Sequence, residues 1–335
     1  MNLLNRNENF LGCSKRSIEV IKRSLDSITR YPDISSKNLE NKIAKLYKIK
    51  EKNIFLGNGI DDINFLISNI LDQNDSVLTH QKSFIGFKWA TQALRKNINY
   101  IQFPLENDYS LCVENFCNAI NKHKPKIIYL CNPNNPTGKS INNENLFKLI
   151  DHTRACKDTL LVVDEAYIEY ASNQTHSSVS YIGNENIVVL RTFSKFYGLA
   201  GLRIGYAISS PKIISRLEEM RKPTQFAVNV LARIAASEAI QDDVYSRLSY
   251  KENNAKKSLL YKILTRHKLT YIESDTNFVC VDARNIHFDL SERLSEFSIQ
   301  VCNLKAFDLN GYIRISVGDK KQLRSLNKAL NRILE

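Results

Sequence analysis

The feature that most restricts the fold is an alternation. Short strand-like runs sit at 54–56, 76–79, 99–103, 126–130, 160–164 and 187–191, and stretches with helical spacing lie between them at 63–71, 86–96, 112–121 and 143–155. Runs such as Leu160-Leu161-Val162-Val163 and Ile127-Ile128-Tyr129-Leu130 offer no polar face, so they belong in strands covered on both sides. Strands alternating with helices predict an α/β fold with a mostly parallel sheet. Gly205-Tyr206-Ala207-Ile208 reads as a seventh strand, with an antiparallel setting expected. Two helical stretches, 17–28 and 36–47, come before the first strand, and a long helical region runs from 212 to about 264. Beyond it the pattern changes to strand 277–282, helix 289–297, strand 312–317 and helix 320–334, a compact α+β unit.

Three segments carry chemistry. In Arg191-Thr192-Phe193-Ser194-Lys195-Phe196-Tyr197-Gly198, one lysine stands among hydroxyls and glycine, eight residues before Arg203. A lysine that forms a Schiff base must be held still and partly desolvated so that its amine can lose a proton. Thr192, Ser194 and Arg203 suit a phosphate. Lysine, phosphate cradle and carbonyl chemistry together describe pyridoxal 5'-phosphate, PLP. Alone, this segment reads equally well as a solvated basic loop.

The second segment, Leu161-Val162-Val163-Asp164-Glu165-Ala166-Tyr167, runs an apolar strand into an acid. Ligands of open α/β sheets bind at the carboxyl ends of strands. Asp164 there can pair with a protonated pyridine nitrogen, and Tyr167 can donate to the ring oxygen; taken alone, Asp164 reads as a helix cap. The third, Asn132-Pro133-Asn134-Asn135-Pro136-Thr137-Gly138, follows another short strand. Its prolines and glycine make a rigid turn from which Asn135 can present its amide.

Together these segments resemble the PLP fold-type I enzymes of the class I and II aminotransferase family, and within it the histidinol-phosphate aminotransferase branch. Further runs carry the resemblance along nearly the whole chain: Leu4-Asn5-Arg6-Asn7-Glu8-Asn9, Arg30-Tyr31-Pro32-Asp33, Gly57-Asn58-Gly59-Ile60-Asp61-Asp62 and Gly311-Tyr312-Ile313-Arg314-Ile315-Ser316-Val317-Gly318.

The resemblance implies a large PLP-binding domain at 31–245 built on a seven-stranded sheet, a small α+β domain at 246–335, and an N-terminal arm at 1–30 that joins the small domain. It implies amino transfer from glutamate to a keto or aldehyde acceptor in amino-acid biosynthesis. Lys195 would hold the cofactor covalently and shuttle the proton, Asp164 would pair with the ring nitrogen, and Asn135 and Tyr167 would hold the ring oxygen. Thr192, Ser194, Arg203 and the backbone amides at Ile60 and Asp61 would hold the phosphate. Tyr31 would reach the cofactor of a neighbouring subunit, making a homodimer with shared active sites. Arg314, with Asn135 beside it, would grip the substrate carboxylate.

The chain also departs from the branch. Phe87, in Gln81-Lys82-Ser83-Phe84-Ile85-Gly86-Phe87, is expected to stack on the pyridine ring. Asp62 replaces a glutamate, and Leu11 stands where a tyrosine is common. Cys302 stands where the branch has an arginine facing the substrate phosphate, and a thiol does not replace a guanidinium. A decarboxylase acting on a phosphorylated amino acid, a PLP-dependent oxidase or specialised aminotransferase, and a non-catalytic PLP-fold binding protein are the competing readings.

Composition fits a folded enzyme: 43% of the 335 residues are hydrophobic and 24% charged. The formal net charge is +12, but the lysines at 37, 42, 45, 48, 50 and 52 are spread along a helical stretch without stacking aromatics. That pattern reads as a solvated face and not as a nucleic-acid site. The seven cysteines are irregularly spaced and the six histidines isolated, so neither a disulfide framework nor a metal site is expected, and a reducing cytoplasm fits. No membrane span and no signal peptide is expected.

Overall fold

The computed structural model describes residues 2–172, 175, 177–183 and 186–334. Among these residues the strands are β1 (Asn2–Leu4), β2 (Ile54–Gly57), β3 (Ser76–His80), β4 (Asn99–Phe103), β5 (Ile127–Cys131), β6 (Leu160–Asp164), β7 (Ile187–Thr192), β8 (Gly205–Ser209), β9 (Thr270–Ile272), β10 (Phe278–Asp282), β11 (Ile299–Asn303) and β12 (Tyr312–Ser316).

Seven of them form one sheet in the order β2-β8-β7-β6-β5-β3-β4. Only β8 runs against its neighbours, so the other six strands share one direction. Helices over Ile60–Ser68, Gly86–Gln92, Val113–His123 and Asn143–Arg154 connect the strands. Residues of β5, β6 and β7 are almost wholly sealed, and this sheet is the centre of the larger core. The register brings Cys131, Asp164 and Leu190 level across β5, β6 and β7, and Thr192 level with Gly205 and Gly57. The carboxyl ends of β2, β5, β6 and β7 therefore open onto the same edge.

A second sheet of five strands has the order β1-β11-β12-β10-β9. Its core takes in Leu260, Ile263 and Leu264 from the helix Asp243–Arg266, Leu290 and Leu294 from Leu290–Glu296, and Leu323, Leu326 and Leu330 from Lys320–Leu334. Leu4 of β1 belongs to this core, pairing in parallel with β11.

The long helical region expected over 212–264 is three helices: Pro211–Arg221, Val230–Ala239 and Asp243–Arg266. Pro223, within a short 3-10 turn, has no amide to continue the first helix. Asn229 and Asp242 then cap the next two, accepting from the amides of Ala232 and Tyr245. The helix expected over 17–28 is Lys15–Arg23 followed by a 3-10 stretch, Leu25–Thr29. No helix among the described residues is long and apolar enough to cross a membrane.

Candidate active site

A cleft of about 370 Å³ lies at the carboxyl edge of the large sheet, where the small sheet and the N-terminal segment meet it. It gathers Ile60, Asp61, Asn135, Asp164, Tyr167, Thr192, Ser194, Lys195, Arg203 and Arg314, all expected from the sequence. Two expected residues are elsewhere. Phe87 is sealed in the core, stacked on Tyr129 of β5 with centroids 4.5 Å apart and planes 9° from parallel. The aromatic that lines the cleft is Phe84, which meets Phe87 edge-on at 5.4 Å. Phe84 precedes the helix Gly86–Gln92 while Phe87 lies on its inner face, so three residues separate a cleft wall from a core ring. Tyr31 is 80% exposed and stacks on Phe226, outside the cleft of its own chain.

Lys195 follows β7 in a loop closed by Leu199 N donating to Phe193 O and Gly198 N donating to Lys195 O. Gly198 is required there: its φ is +68°, and a Cβ would lie 2.1 Å from the Gly12 carbonyl oxygen. Lys195 Nζ donates to the carbonyl of Arg6 at 2.9 Å. Burial, with the guanidiniums of Arg314 and Arg203 nearby, lowers its pKa to about 8. An appreciable fraction of the amine is then free base near neutrality.

Asp164 ends β6 and is 3% exposed. Its Oδ1 accepts from the amide of Ala166 at 3.0 Å. Burial raises its pKa to about 7, against that amide bond and with Asp61 and Glu165 adding to the rise. No ion pair to this carboxylate occurs among the described residues. A buried acid with no direct ion pair suits a cationic ring nitrogen. Glu165, next in sequence, turns the other way and pairs with Arg191 at 2.9 Å. Tyr167 is also sealed, its hydroxyl accepts from Asn7 Nδ2 at 3.1 Å, and burial pushes its pKa up.

The turn after β5 holds itself together. Asn134 Nδ2 donates to Thr137 Oγ1 at 2.8 Å, and Asn132 Oδ1 accepts from the amide of Ile141 at 2.9 Å. Asn135 then points across the cleft, where its Oδ1 accepts from Arg314 Nη1. Arg314 Nη2 donates to the carbonyl of Asn5 at 3.1 Å, and the guanidinium lies over Phe278 at 5.3 Å. Arg314 Nε is buried without a hydrogen-bond partner among the described residues.

The corner around Arg203 is built from the end of β7, the turn before β8 and the turn after β2. Arg203 donates to Asp61 Oδ2 at 3.0 Å and to Ser194 Oγ at 3.4 Å. Thr192 Oγ1 accepts from the amide of Ser194 at 3.0 Å. The helix Ile60–Ser68 starts here after Gly59, so its first amides and dipole face the same corner.

Sequence reasoning missed part of the cleft. Arg6, Asn7, Ile85, Trp89, Ala306 and Phe307 also line it. Asn5, Arg6 and Asn7 belong to a run whose sequence marks only a family resemblance, and the first two meet Arg314 and Lys195 through main-chain carbonyls. Cys302 on β11 is paired directly with Arg314 on β12 and packs with Ile272, Cys280, Leu304 and Tyr312. No cation occupies that position.

The chain matches the family model described as aminotransferase class I and II over residues 1–330. It is 37% identical over 321 residues to histidinol-phosphate aminotransferase 2 of Legionella pneumophila (strain Lens), covering 94% of this chain and 85% of that protein. It is 36% identical over 331 residues to histidinol-phosphate aminotransferase of Caldicellulosiruptor saccharolyticus, covering 98% and 90%. Among solved structures it is similar to histidinol-phosphate aminotransferase from Sinorhizobium meliloti in complex with pyridoxal-5'-phosphate. The TM-score is 0.91 and the identity 26%, with 99% of this chain and 90% of that one covered.

Proposed function

Because this chain belongs to the class I and II aminotransferase family, we propose that it binds PLP in the cleft around Lys195 and transfers an amine from glutamate to a phosphorylated keto acceptor of the histidinol-phosphate type. The observation that carries the reading is the pairing of two mutually suited groups in one cleft. Lys195 has a pKa lowered to about 8, and Asp164 is a sealed acid raised to about 7 with no ion pair among the described residues.

PLP bound there supplies an electron sink and a carrier for the amine. Asp164 would hold the ring nitrogen protonated, because a cation beside it stabilises the carboxylate that burial penalises. Arg203, Ser194, Thr192 and the first amides of the helix Ile60–Ser68 would hold the phosphate. Phe84 would cover the ring face that the sequence assigned to Phe87. Asn135 and Tyr167 would hold the ring oxygen. Arg314 would bind the substrate carboxylate, with Asn135 accepting from the same fork. Lys195, freed when substrate takes its place, would carry the proton to and from the reacting carbon as general base and acid. The carbonyl of Arg6 is positioned to hold the amine during that step.

Residues 31–245 serve as the cofactor-binding domain in this reading, with 246–335 and the arm at 1–30 closing over it. The enzyme works as a homodimer: Leu25, Ile28, Tyr31 and Ile34 are large hydrophobics left exposed within ten residues. A patch of that kind favours a partner surface, and Tyr31 would then reach the partner's cleft. The seven cysteines are all unpaired, which supports a cytoplasmic setting.

The test is spectroscopic. Adding glutamate to the PLP-loaded protein is expected to change the cofactor's absorption and release 2-oxoglutarate stoichiometrically. Lys195→Ala is expected to abolish the release while keeping the circular dichroism of the wild type. An unchanged spectrum and no 2-oxoglutarate from the wild type would overturn glutamate as donor. Retained turnover in Lys195→Ala would overturn the assignment of the lysine.

A further inference from the structure

Four cationic side chains line the cleft: Arg6, Lys195, Arg203 and Arg314. Three have partners. Lys195 donates to a carbonyl, Arg203 is paired with Asp61, and Arg314 is bonded to Asn135 and to the carbonyl of Asn5. The guanidinium of Arg6 has no hydrogen bond and no ion pair among the described residues, and it is exposed. Its backbone is nonetheless firmly held. Its own carbonyl accepts from Lys195, and the neighbouring Asn7 donates to Tyr167 and, through its amide, to Ser316 at 2.8 Å. A long cationic arm thus rises from an anchored stem beside the reacting amine.

The reading of amino transfer given above demands an anion site of this kind. Glutamate carries a second carboxylate beyond the one that Arg314 takes, and a phosphorylated acceptor carries a phosphate. The position across from Arg314 on β11 is Cys302, which offers neither charge nor a fork. The same cleft is walled in part by Phe84, Ile85, Trp89 and Phe307, suited to the uncharged body of a substrate.

Resting on that reading, we propose that Arg6 is the specificity-determining residue for the substrate's distal oxyanion, gripping the side-chain carboxylate of the donor and the phosphate of the acceptor in turn. Arginine suits both, because its fork makes two parallel bonds to either group. The side chain is exposed and without partners, so it can reach for groups at different distances.

The test measures binding and not turnover. Glutarate, 4-phosphonobutyrate and butyrate are titrated calorimetrically into the PLP-loaded wild type, Arg6→Ala and Arg6→Lys. The two dianions are expected to bind the wild type about tenfold more tightly than butyrate. Arg6→Ala is expected to reduce both to the affinity of butyrate, with butyrate unchanged, and Arg6→Lys to recover part of the loss. The main-chain carbonyl that meets Lys195 is kept in both variants. A larger loss for glutarate identifies the carboxylate as the main target, and a larger loss for 4-phosphonobutyrate the phosphate. Unchanged dianion affinity in Arg6→Ala, or an equal loss for butyrate, overturns the proposal. A wild type that takes up no PLP would remove the amino-transfer reading instead. Arg6-dependent binding of glutarate to that cofactor-free protein would leave the anion site standing.

Discussion

Arg203 donates to the Asp61 carboxylate at 3.0 Å across the turn that carries the chain from β2 into its helix. Arg203 does so from a left-handed backbone, φ 53°, which costs a non-glycine residue about 1–2 kcal/mol. Both partners are substantially exposed, 44% and 65%, so the pair contributes about 1 kcal/mol at most. A phosphate with several charged oxygens competes well for that fork. The ion pair therefore orients Arg203 without committing it.

Gly59 controls that orientation. Its φ is +81°, and a Cβ would stand 2.6 Å from Arg203 Nη2. Gly59→Ala is expected to displace the guanidinium and weaken PLP binding by about tenfold, the scale of one lost charge-assisted contact. Titration of PLP into the cofactor-free variant measures this. An unaltered Kd would separate Arg203 from the phosphate.

Phe84 and Phe87 should behave oppositely. Phe87→Leu removes a ring stacked on Tyr129 in a sealed core, and a loss of about 1–2 kcal/mol of stability is expected with PLP affinity unchanged. Phe84→Leu should weaken PLP binding and leave the unfolding midpoint near that of the wild type. Denaturant unfolding alongside PLP titration decides between them, and the reverse pattern would return the stacking role to Phe87.

Asp164 predicts a pH signature of the cofactor-free protein. Its folded pKa, about 7, lies above the ordinary value near 4. Between those values the folded state binds the extra proton, so this group's contribution to stability is present below about pH 4 and is lost as pH rises through 7. Asp164→Asn removes that dependence. The Tm difference, wild type minus variant, is expected to fall from pH 5 to pH 8 without PLP, and to fall much less with PLP bound. A difference that is flat without PLP would contradict the raised pKa.

Lys195 and Arg314 are coupled through charge. Lowering of the lysine pKa to about 8 owes most to burial and next to Arg314. The rate of PLP capture should rise with pH and level off above about 8. In Arg314→Gln the leveling point should move to higher pH, because a repelling charge is gone. Stopped-flow absorbance across pH 6–10 reads this directly, and a shift downward would contradict the assignment.

Much of the architecture was legible because the central parallel strands β5, β6 and β7 are covered on both faces and so carry nearly unbroken apolar runs, which announced the large sheet. The cleft was legible where a chemically distinctive side chain ends a strand, as at Asp164, or stands alone among small residues, as at Lys195. What escaped was of two kinds. β1 and β9 are three residues each and exist because β11 and β10 offer them partners, which no local pattern records. Asn5 and Arg6 contribute carbonyl oxygens, which every residue possesses. The start of the helix at Gly86 was legible, but that Phe87 packs on Tyr129 of β5 while Phe84 lines the cleft depends on how the helix seats against the sheet, which its own spacing does not record.

The pairing of β1 with β11 has a consequence for the order of assembly. Asn2, Leu3 and Leu4 find their partners at Ile299, Gln300 and Val301, almost the full chain away. Closing so long a loop is slow compared with forming the successive βα units of the large sheet. Lys195, Asp164 and the phosphate corner can therefore be in place while the strand that brings Asn5, Arg6 and Asn7 over them is still unpaired. Activity during refolding is expected to return after the far-ultraviolet circular dichroism does, and activity that returns together with it would contradict this order.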